Sequence, residues 1–444
     1  MKIIVLAGGY SPEREVSLSS GSLIANALIE NGHKVLLADL YLGLTSNYEN
    51  SYLTKNMDKR FHFEVSNKEP DLLTLKDKAS HTNKYIGPYI IEACQNADLT
   101  FLALHGGIGE NGQLQALLDI YGITYTGSSY EGCLLSMNKD ISKKLMLTAG
   151  VKTADWKTYN LNSLELHNEL NITYPAVLKP LNCGSSIGVT ILENIHDLQD
   201  AINAAKAYES DVLIEKKIIG REFSVGILGE KELPPIEIIP RNGFYDYTNK
   251  YQTGGTTEIC PANITKELER KLIDNAKIVH QILKLGFYSR IDFIVDENET
   301  LWCLEANSLP GMTPTSLIPQ EAKAAGIEYN ELCEMIVQET IKKNDTRNNA
   351  VCSKKQRHYP PLPALPTPPH PHHNHNAHKP DTTTQKHKIP QAKRIFNQTT
   401  RDTSCHLPKP HPGKVNEGST FYGIRLWQIV HDKIHRADII NTEP

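Results

Sequence analysis

An α/β fold whose N-terminal part is a doubly wound parallel sheet is what three features of this 444-residue chain predict. Apolar, β-branched runs alternate with helix-periodic segments through about residue 130, the pattern of βαβ units. A later pair of apolar runs, Ile291 with Phe293 to Val295 and Leu301 to Leu304, flanks an Asp296-Glu297-Asn298 turn and reads as a β-hairpin. Beyond Lys343 this patterning stops, and Pro, His, Thr, Lys and Asn take over. The length suits about two or three domains with ample material for a core.

The elements follow in order. Strand Ile3–Leu6 leads through Gly8-Gly9 into a helix-periodic segment from Val16 to Leu28, and Val35 to Leu37 is a second strand. Gly8-Gly9 reads as a tight turn; as a nucleotide-binding signal a glycine pair is weak. Residues 44–90 are polar and irregular, an elaborated crossover. Asp98 to Leu104 is a buried strand that runs into the glycine-rich His105-Gly106-Gly107-Ile108-Gly109-Glu110 segment. Tyr174 to Pro180 is a strand ending at Lys179, followed by Gly184-Ser185-Ser186-Ile187-Gly188 and strand Val189 to Leu192. Such a small-residue loop can cradle an anion with backbone N–H groups and serine hydroxyls, or can be a ligand-free hairpin loop. Val212 to Ile218 is a strand running into a linker that could offer adenine a backbone donor and acceptor. Helices are expected at Ser316–Ala325 and Tyr329–Lys343. These divide the chain into 1–130, 131–214, 215–343 and a tail, 344–444.

A net charge of −4 argues against nucleic-acid binding as the main business of the whole chain. The apolar run after Met1 is too short for a signal peptide and is followed by Glu13 and Glu15. No run reaches the roughly 20 apolar residues of a membrane helix. Cys94, Cys133, Cys183, Cys260, Cys303 and Cys333 are scattered without paired spacing, as suits reduced thiols of a cytoplasmic protein.

The chemistry points to the hairpin. Asp292 and Glu305 interrupt apolar strands, where an unpaired acid is costly. Asn307, two residues past Glu305, shares its face by strand alternation. Two carboxylates and an amide are hard oxygen ligands of the kind Mg²⁺ takes when it is held against phosphates. Glu297 and Glu299, at the turn, read as solvated charge. The pattern is that of a phosphoryl-transfer site.

Taken together, several segments resemble the D-alanine–D-alanine ligase family of the ATP-grasp fold. They are Ala7 to Ser17, Leu104 to Gln115, Tyr125 to Ser129, Met137-Asn138-Lys139, Lys179 to Gly188, Ile219 to Phe223, Tyr245 to Tyr251 and Arg290 to Leu317. They occur in family order and cover about residues 1–343. The resemblance implies that Lys139, Lys179 and Lys250 meet ATP phosphates, with Ser186 in the loop over them. Glu215, Lys216, Ile218 and Glu222 would hold adenine and ribose. Asp292, Glu305 and Asn307 would bind two Mg²⁺ ions, with Mn²⁺ a possible substitute. Glu13 would receive the first D-alanine's ammonium and join Ser185 and Tyr251 in a hydrogen-bonded set that closes a loop over the site. Arg290 and the Gly311 N–H would hold the reacting carboxylate, and Ser316 with Leu317 the second D-alanine's carboxylate. His105 would line the first-substrate pocket; its other reading is a turn residue bonded to backbone.

The implied reaction is ATP phosphorylation of one D-alanine and attack by the amine of another, giving D-alanyl-D-alanine for peptidoglycan precursors. Tyr251 accompanies dipeptide ligases in the family, and D-serine stays open as second substrate. The resemblance also implies a cytoplasmic homodimer that acts on small molecules, with no nucleic-acid or membrane partner. Asn111, Asn138, Cys183 and Gly254-Gly255 depart from the family's usual residues, and none of them removes a phosphate or metal ligand. The larger departure is the tail, since family members usually end near residue 343. Its composition predicts disorder with polyproline II bias, Phe421–Ile440 being the one stretch suited to a helix. His370, His372, His373, His375 and His378 could chelate Ni²⁺ or Zn²⁺, and Pro360 to Pro366 could dock a partner as a polyproline II ligand. A metal-binding or docking protein acting through this tail is therefore the competing reading of the chain.

Overall fold

The N-terminal sheet forms from three strands buried on both faces. Strands β1 (Lys2–Ala7), β2 (Lys34–Asp39) and β3 (Leu99–Leu102) pair in parallel in the order β2-β1-β3, and the near-continuous apolar runs are what parallel strands covered by helices require. Helix α1 (Arg14–Glu30) packs Ile24, Leu28 and Ile29 against them. The Gly8-Gly9 turn is locked by the protein itself. The Gly8 N–H donates to Ser17 Oγ at 2.8 Å, and Arg14 spans Gly9 O at 2.9 Å and Asp39 at 2.7 Å. That bonding belongs to a structural turn. Among the described residues of the polar stretch 44–90, Leu53 bridges Val35, and Asp71 caps the short helix α2 (Leu72–Lys78) by accepting from the Leu73 and Thr74 amides.

The computed structural model describes residues 1–66, 70–79, 85–163, 172–184, 187–240 and 256–355, the last eleven of these by backbone alone. After α3 (Ile90–Gln95) and β3 come α4 (Gln113–Ile120), α5 (Tyr130–Met137) and α6 (Lys139–Thr148). An antiparallel sheet, β4-β7-β5-β6, then joins β4 (Trp156–Asn160), β5 (Ala176–Pro180), β6 (Thr190–Leu192) and β7 (Asp211–Lys216). It carries α7 (Leu198–Lys206), whose Ala201, Ile202 and Ala205 pack on Leu178, Val212 and Ile214. A larger antiparallel sheet runs β11-β10-β8-β12-β13 with β9 (Lys231–Glu232) beside β8. Its strands are β8 (Arg221–Leu228), β10 (Ile236–Pro240), β11 (Thr256–Ile259), β12 (Tyr288–Val295) and β13 (Leu301–Asn307). Helix α8 (Lys266–Ile282) covers one face of it through Leu272, Ala276 and Val279.

Helices α9 (Leu317–Ala324) and α10 (Tyr329–Lys355) finish the described fold. The second runs past the expected end at Lys343, because no Pro or Gly interrupts residues 329–359. Its Leu332, Ile336 and Val337 join the core of the N-terminal sheet, so the last helix packs beside the first. Among the described residues no helix is long and apolar enough to cross a membrane. The tail histidines, the Pro360 to Pro366 stretch and Phe421–Ile440 lie outside the described residues.

Candidate active site

The hairpin β12–β13 builds the site by sorting its residues between two faces. Ile291, Phe293 and Val295 point to the core under α8, with Phe223, Val225 and Ile227 of the neighbouring β8. The alternate residues Arg290 and Asp292, with Ser224 and Gly226, therefore occupy the opposite face. On β13 the register slips: Phe293 pairs with Cys303 but Asp292 pairs with Glu305, leaving Leu304 as a bulge. This extra residue reverses the alternation. Without it Glu305 would share the core face of Cys303. With it Glu305 faces outward beside Asp292, and Asn307 beside Arg290.

Asp292 is the hub. Its carboxylate accepts from Arg290 Nε at 3.0 Å and Nη2 at 2.9 Å, from Ser224 Oγ at 2.8 Å and from Asn307 Nδ2 at 3.1 Å. The forked arginine contact is strong and directional. As metal donors Asp292, Glu305 and Asn307 offer oxygen only, which suits Mg²⁺ and not a soft ion. Among the described residues no group of three or more His, Cys, Asp or Glu side chains could hold a metal ion by itself. Such a donor set fits a cation that completes its shell with phosphate oxygens and water.

Two cavities adjoin this hairpin. The first, of about 560 Å³, is lined by Asp292 and Glu305 together with Lys139, Lys179, Cys183, Glu215, Lys216, Ile218 and Glu222. Lys139 starts α6 and donates to the Cys183 carbonyl at 2.5 Å. Burial lowers its pKa, Glu305 opposing and Lys179 reinforcing. Behind it Glu215 bridges two lysines: one oxygen lies 2.5 Å from Lys179 Nζ and the other 2.6 Å from Lys143 Nζ, which also donates to Thr153 Oγ1 at 2.6 Å. Burial alone would raise the Glu215 pKa, but the two ammonium groups bring it down to about 2. Burial likewise disfavours charge on Lys179, and Glu215 more than restores it, so the Lys179 pKa is raised.

The second cavity, of about 450 Å³, is lined by Glu13, His105, Glu110, Glu258, Arg290, Asn307, Gly311, Ser316 and Leu317. Glu13 immediately precedes α1 and is buried. Gly106, at φ +67°, lets the next loop press close: a Cβ there would fall 2.9 Å from Glu13 Oε2 and 2.7 Å from Ser11 Oγ. His105 is buried with Nδ1 3.7 Å from Glu110 Oε1, while its Nε2 has no hydrogen-bond partner among the described residues. Burial opposes its protonation, but Glu110 and Glu13 outweigh that and raise its pKa. Ser316 precedes α9 and its hydroxyl accepts the Thr313 N–H at 3.1 Å; Leu317 is buried beside it.

The residues singled out in the sequence thus gather around one hairpin, apart from Ser185, Ser186, Lys250 and Tyr251, which lie outside the described residues. Glu215 lines the first cavity and there sits between two lysines. Four contributors were not singled out. Lys143 had a signal, since it lies one helical turn from Lys139. Ser224 and Gly226 had one too, as small residues alternating with Phe223, Val225 and Ile227. Glu258, whose carboxylate accepts from Gln320 Nε2, had none.

The chain is similar to proteins of one family along most of its length. The family described as "D-ala D-ala ligase N-terminus" matches residues 2–128, and "D-ala D-ala ligase C-terminus" matches residues 145–338. The D-alanine–D-alanine ligase of Pediococcus pentosaceus is 41% identical over 343 residues, which cover 76% of this chain and 97% of that protein. Its counterpart from Lacticaseibacillus casei is 38% identical over 347 residues, covering 77% and 96%. Among solved structures, the Bacillus anthracis D-alanine–D-alanine ligase complexed with ATP matches with a TM-score of 0.60 at 29% identity, covering 78% of this chain and 99% of that one. The VanG D-Ala:D-Ser ligase of Enterococcus faecalis matches with a TM-score of 0.58 at 27% identity, covering 76% and 99%.

Proposed function

The chain belongs to the D-alanine–D-alanine ligase family, and from that premise we propose that it joins two D-alanines into D-alanyl-D-alanine with ATP as the energy source. One observation carries the reading: a single hairpin lines both cavities, with Asp292 and Glu305 at the first and Arg290 and Asn307 at the second. A phosphoryl donor in the first can therefore reach a carboxylate in the second across the width of one strand pair.

A carboxylate oxygen of the first D-alanine attacks the γ-phosphorus of ATP, the bond to the bridging oxygen breaks and ADP leaves. The amine of the second D-alanine then attacks the acyl carbon, phosphate departs with its bonding electrons, and the amine's proton passes to solvent. Positioning and charge neutralisation carry most of such a reaction. Lys139 and Lys179 hold the phosphates, and Lys216, Ile218 and Glu222 hold adenine and ribose. Glu215 serves as the resident counter-ion that aims Lys179. Asp292, Glu305 and Asn307 would hold Mg²⁺, two ions by the family pattern, which when bound neutralises phosphate charge. Glu13 takes the first substrate's ammonium with His105 beside it. Arg290 and the Gly311 N–H hold the reacting carboxylate, while Ser316 and Leu317 hold that of the second substrate. With this reading come a cytoplasmic location, a role in peptidoglycan precursor synthesis and action as a homodimer.

The test is phosphate release from ATP and Mg²⁺ with D-alanine or D-serine, by the full chain and by a chain ending at Lys355. D-Alanine-dependent release, equal in the two, is the expected result. No release from either overturns the reading. Release by the full chain alone would bring residues 356–444 into the chemistry.

A further inference from the structure

Helix α9 carries a carboxyl that the chemistry above leaves unused. Glu321 is fully buried, and no side chain among the described residues hydrogen-bonds to its oxygens, which lie against the Gly226 backbone. A buried polar group in that state calls for an explanation. Its surroundings supply one. Gly226 pairs directly with Arg290 in the β8–β12 ladder, so the two residues face the same way. A Cβ on Gly226 would fall 2.3 Å from Glu321 Oε2, in a slot walled by Leu233 and Ile318. The glycine thus leaves a gap beside the Arg290 stem, and the Glu321 carboxyl fills it. Burial holds the pKa of this carboxyl well above the ordinary value, the Gly226 backbone and Arg290 opposing.

Arg290 now rests in a forked pair with Asp292. The proposed function gives Asp292 to a metal ion, which would leave the guanidinium without its carboxylate. We propose that Glu321 is the positioning residue for Arg290: it holds the guanidinium at the cavity wall when Asp292 turns to another partner. The slot formed by Gly226 is what brings it within reach. This inference rests on the proposed function for its catalytic consequence but not for the contact itself.

Glu321→Gln keeps the shape and removes the titratable carboxyl. It should melt like the wild-type chain, leave the KM for ATP unchanged and lower kcat for D-alanine-dependent phosphate release about tenfold to a hundredfold, as a displaced catalytic group does. Glu321→Asp should recover part of that loss. Gly226→Ala, whose methyl group displaces the carboxyl without removing it, should lower kcat in the same way. In unfolding experiments Asp292→Asn combined with Glu321→Gln should lose more stability than the two changes summed, because each carboxyl covers for the other. Wild-type kcat in Glu321→Gln, or an additive unfolding cycle, overturns the inference. A wild-type chain that releases no phosphate would overturn the proposed function instead, and the unfolding cycle would still decide the contact.

Discussion

The two cavities share a hairpin but keep their charges differently. Around the first, opposite charges are already joined: Lys179 and Lys143 close on Glu215, and Lys139 rests on the Cys183 carbonyl. Around the second, Arg290 and Asn307 are likewise joined to Asp292, and it is His105 that holds a polar atom in reserve. His105 keeps one nitrogen without a partner among the described residues, and Glu13 and Glu110 converge on it. A triphosphate arriving in the first cavity must exchange one partner for another, whereas an amino acid entering the second also meets, in His105, a nitrogen that no resident partner holds among the described residues. The contrast matches the chemistry of the two guests. Buried ammonium groups awaiting a highly charged ligand need a resident counter-ion, and a small zwitterion gains most from a pocket that needs no rearrangement.

The sharpest break of this contrast is Lys179→Met. It removes a cation from the phosphates, and it also leaves Glu215 with Lys143 alone. Phosphate release should fall about a hundredfold to a thousandfold, as when one preorganised donor is lost from a charged transition state. The KM for ATP should rise while that for D-alanine stays put. Rates at varied concentrations of each substrate check this, and a change confined to the D-alanine KM would erase the division of labour between the cavities.

Lys143→Met tests the resident pair more gently. Lys143 is buried and does not line the cavity, so its loss should show first in stability, by about 3 kcal/mol, as when a buried ion pair is broken from one side. Denaturant unfolding measures it. The same cluster sets a pH dependence. The folded pKa of Glu215, about 2, lies below the roughly 4.3 of an unfolded glutamate. Its stabilisation is therefore complete above the unfolded value and is lost as the pH falls from there towards 2, by roughly 3 kcal/mol in all. Glu215→Gln should flatten the unfolding profile in that window. A profile that stays as steep would locate the acid sensitivity elsewhere.

Much of this was legible in the sequence, and the exceptions have physical causes. The parallel strands, the hairpin and its acids announced themselves because buried strands are apolar and an acid within one is conspicuous. The bulge at Leu304 did not, since a single extra residue in an apolar run alters no composition. It is nevertheless what turns Glu305 towards Asp292. Glu215 was legible as a strand-end acid near the nucleotide, but its bond to Lys143 joins residues 72 positions apart. Glu321 was invisible for the same reason: on its helix it reads as one more solvent-facing glutamate, and only the slot at Gly226 reveals otherwise.

His105 offers the smallest and most discriminating effect. Its Nε2 is buried and unpartnered among the described residues, so a substrate carboxylate or carbonyl in the second cavity would complete it. Replacing it by alanine removes one hydrogen bond to a charged guest, worth about 1.5–3 kcal/mol at most. The KM for D-alanine should therefore rise about tenfold, with little change in kcat and none in the KM for ATP. Asparagine, which restores a donor on a shorter arm, should recover part of it. Should His105→Ala leave both KM values alone, the ring would be a turn residue serving its own loop. The second cavity would then hold its guests through Glu13, Arg290, Gly311, Ser316 and Leu317 without the ring, and readiness would no longer separate it from the first.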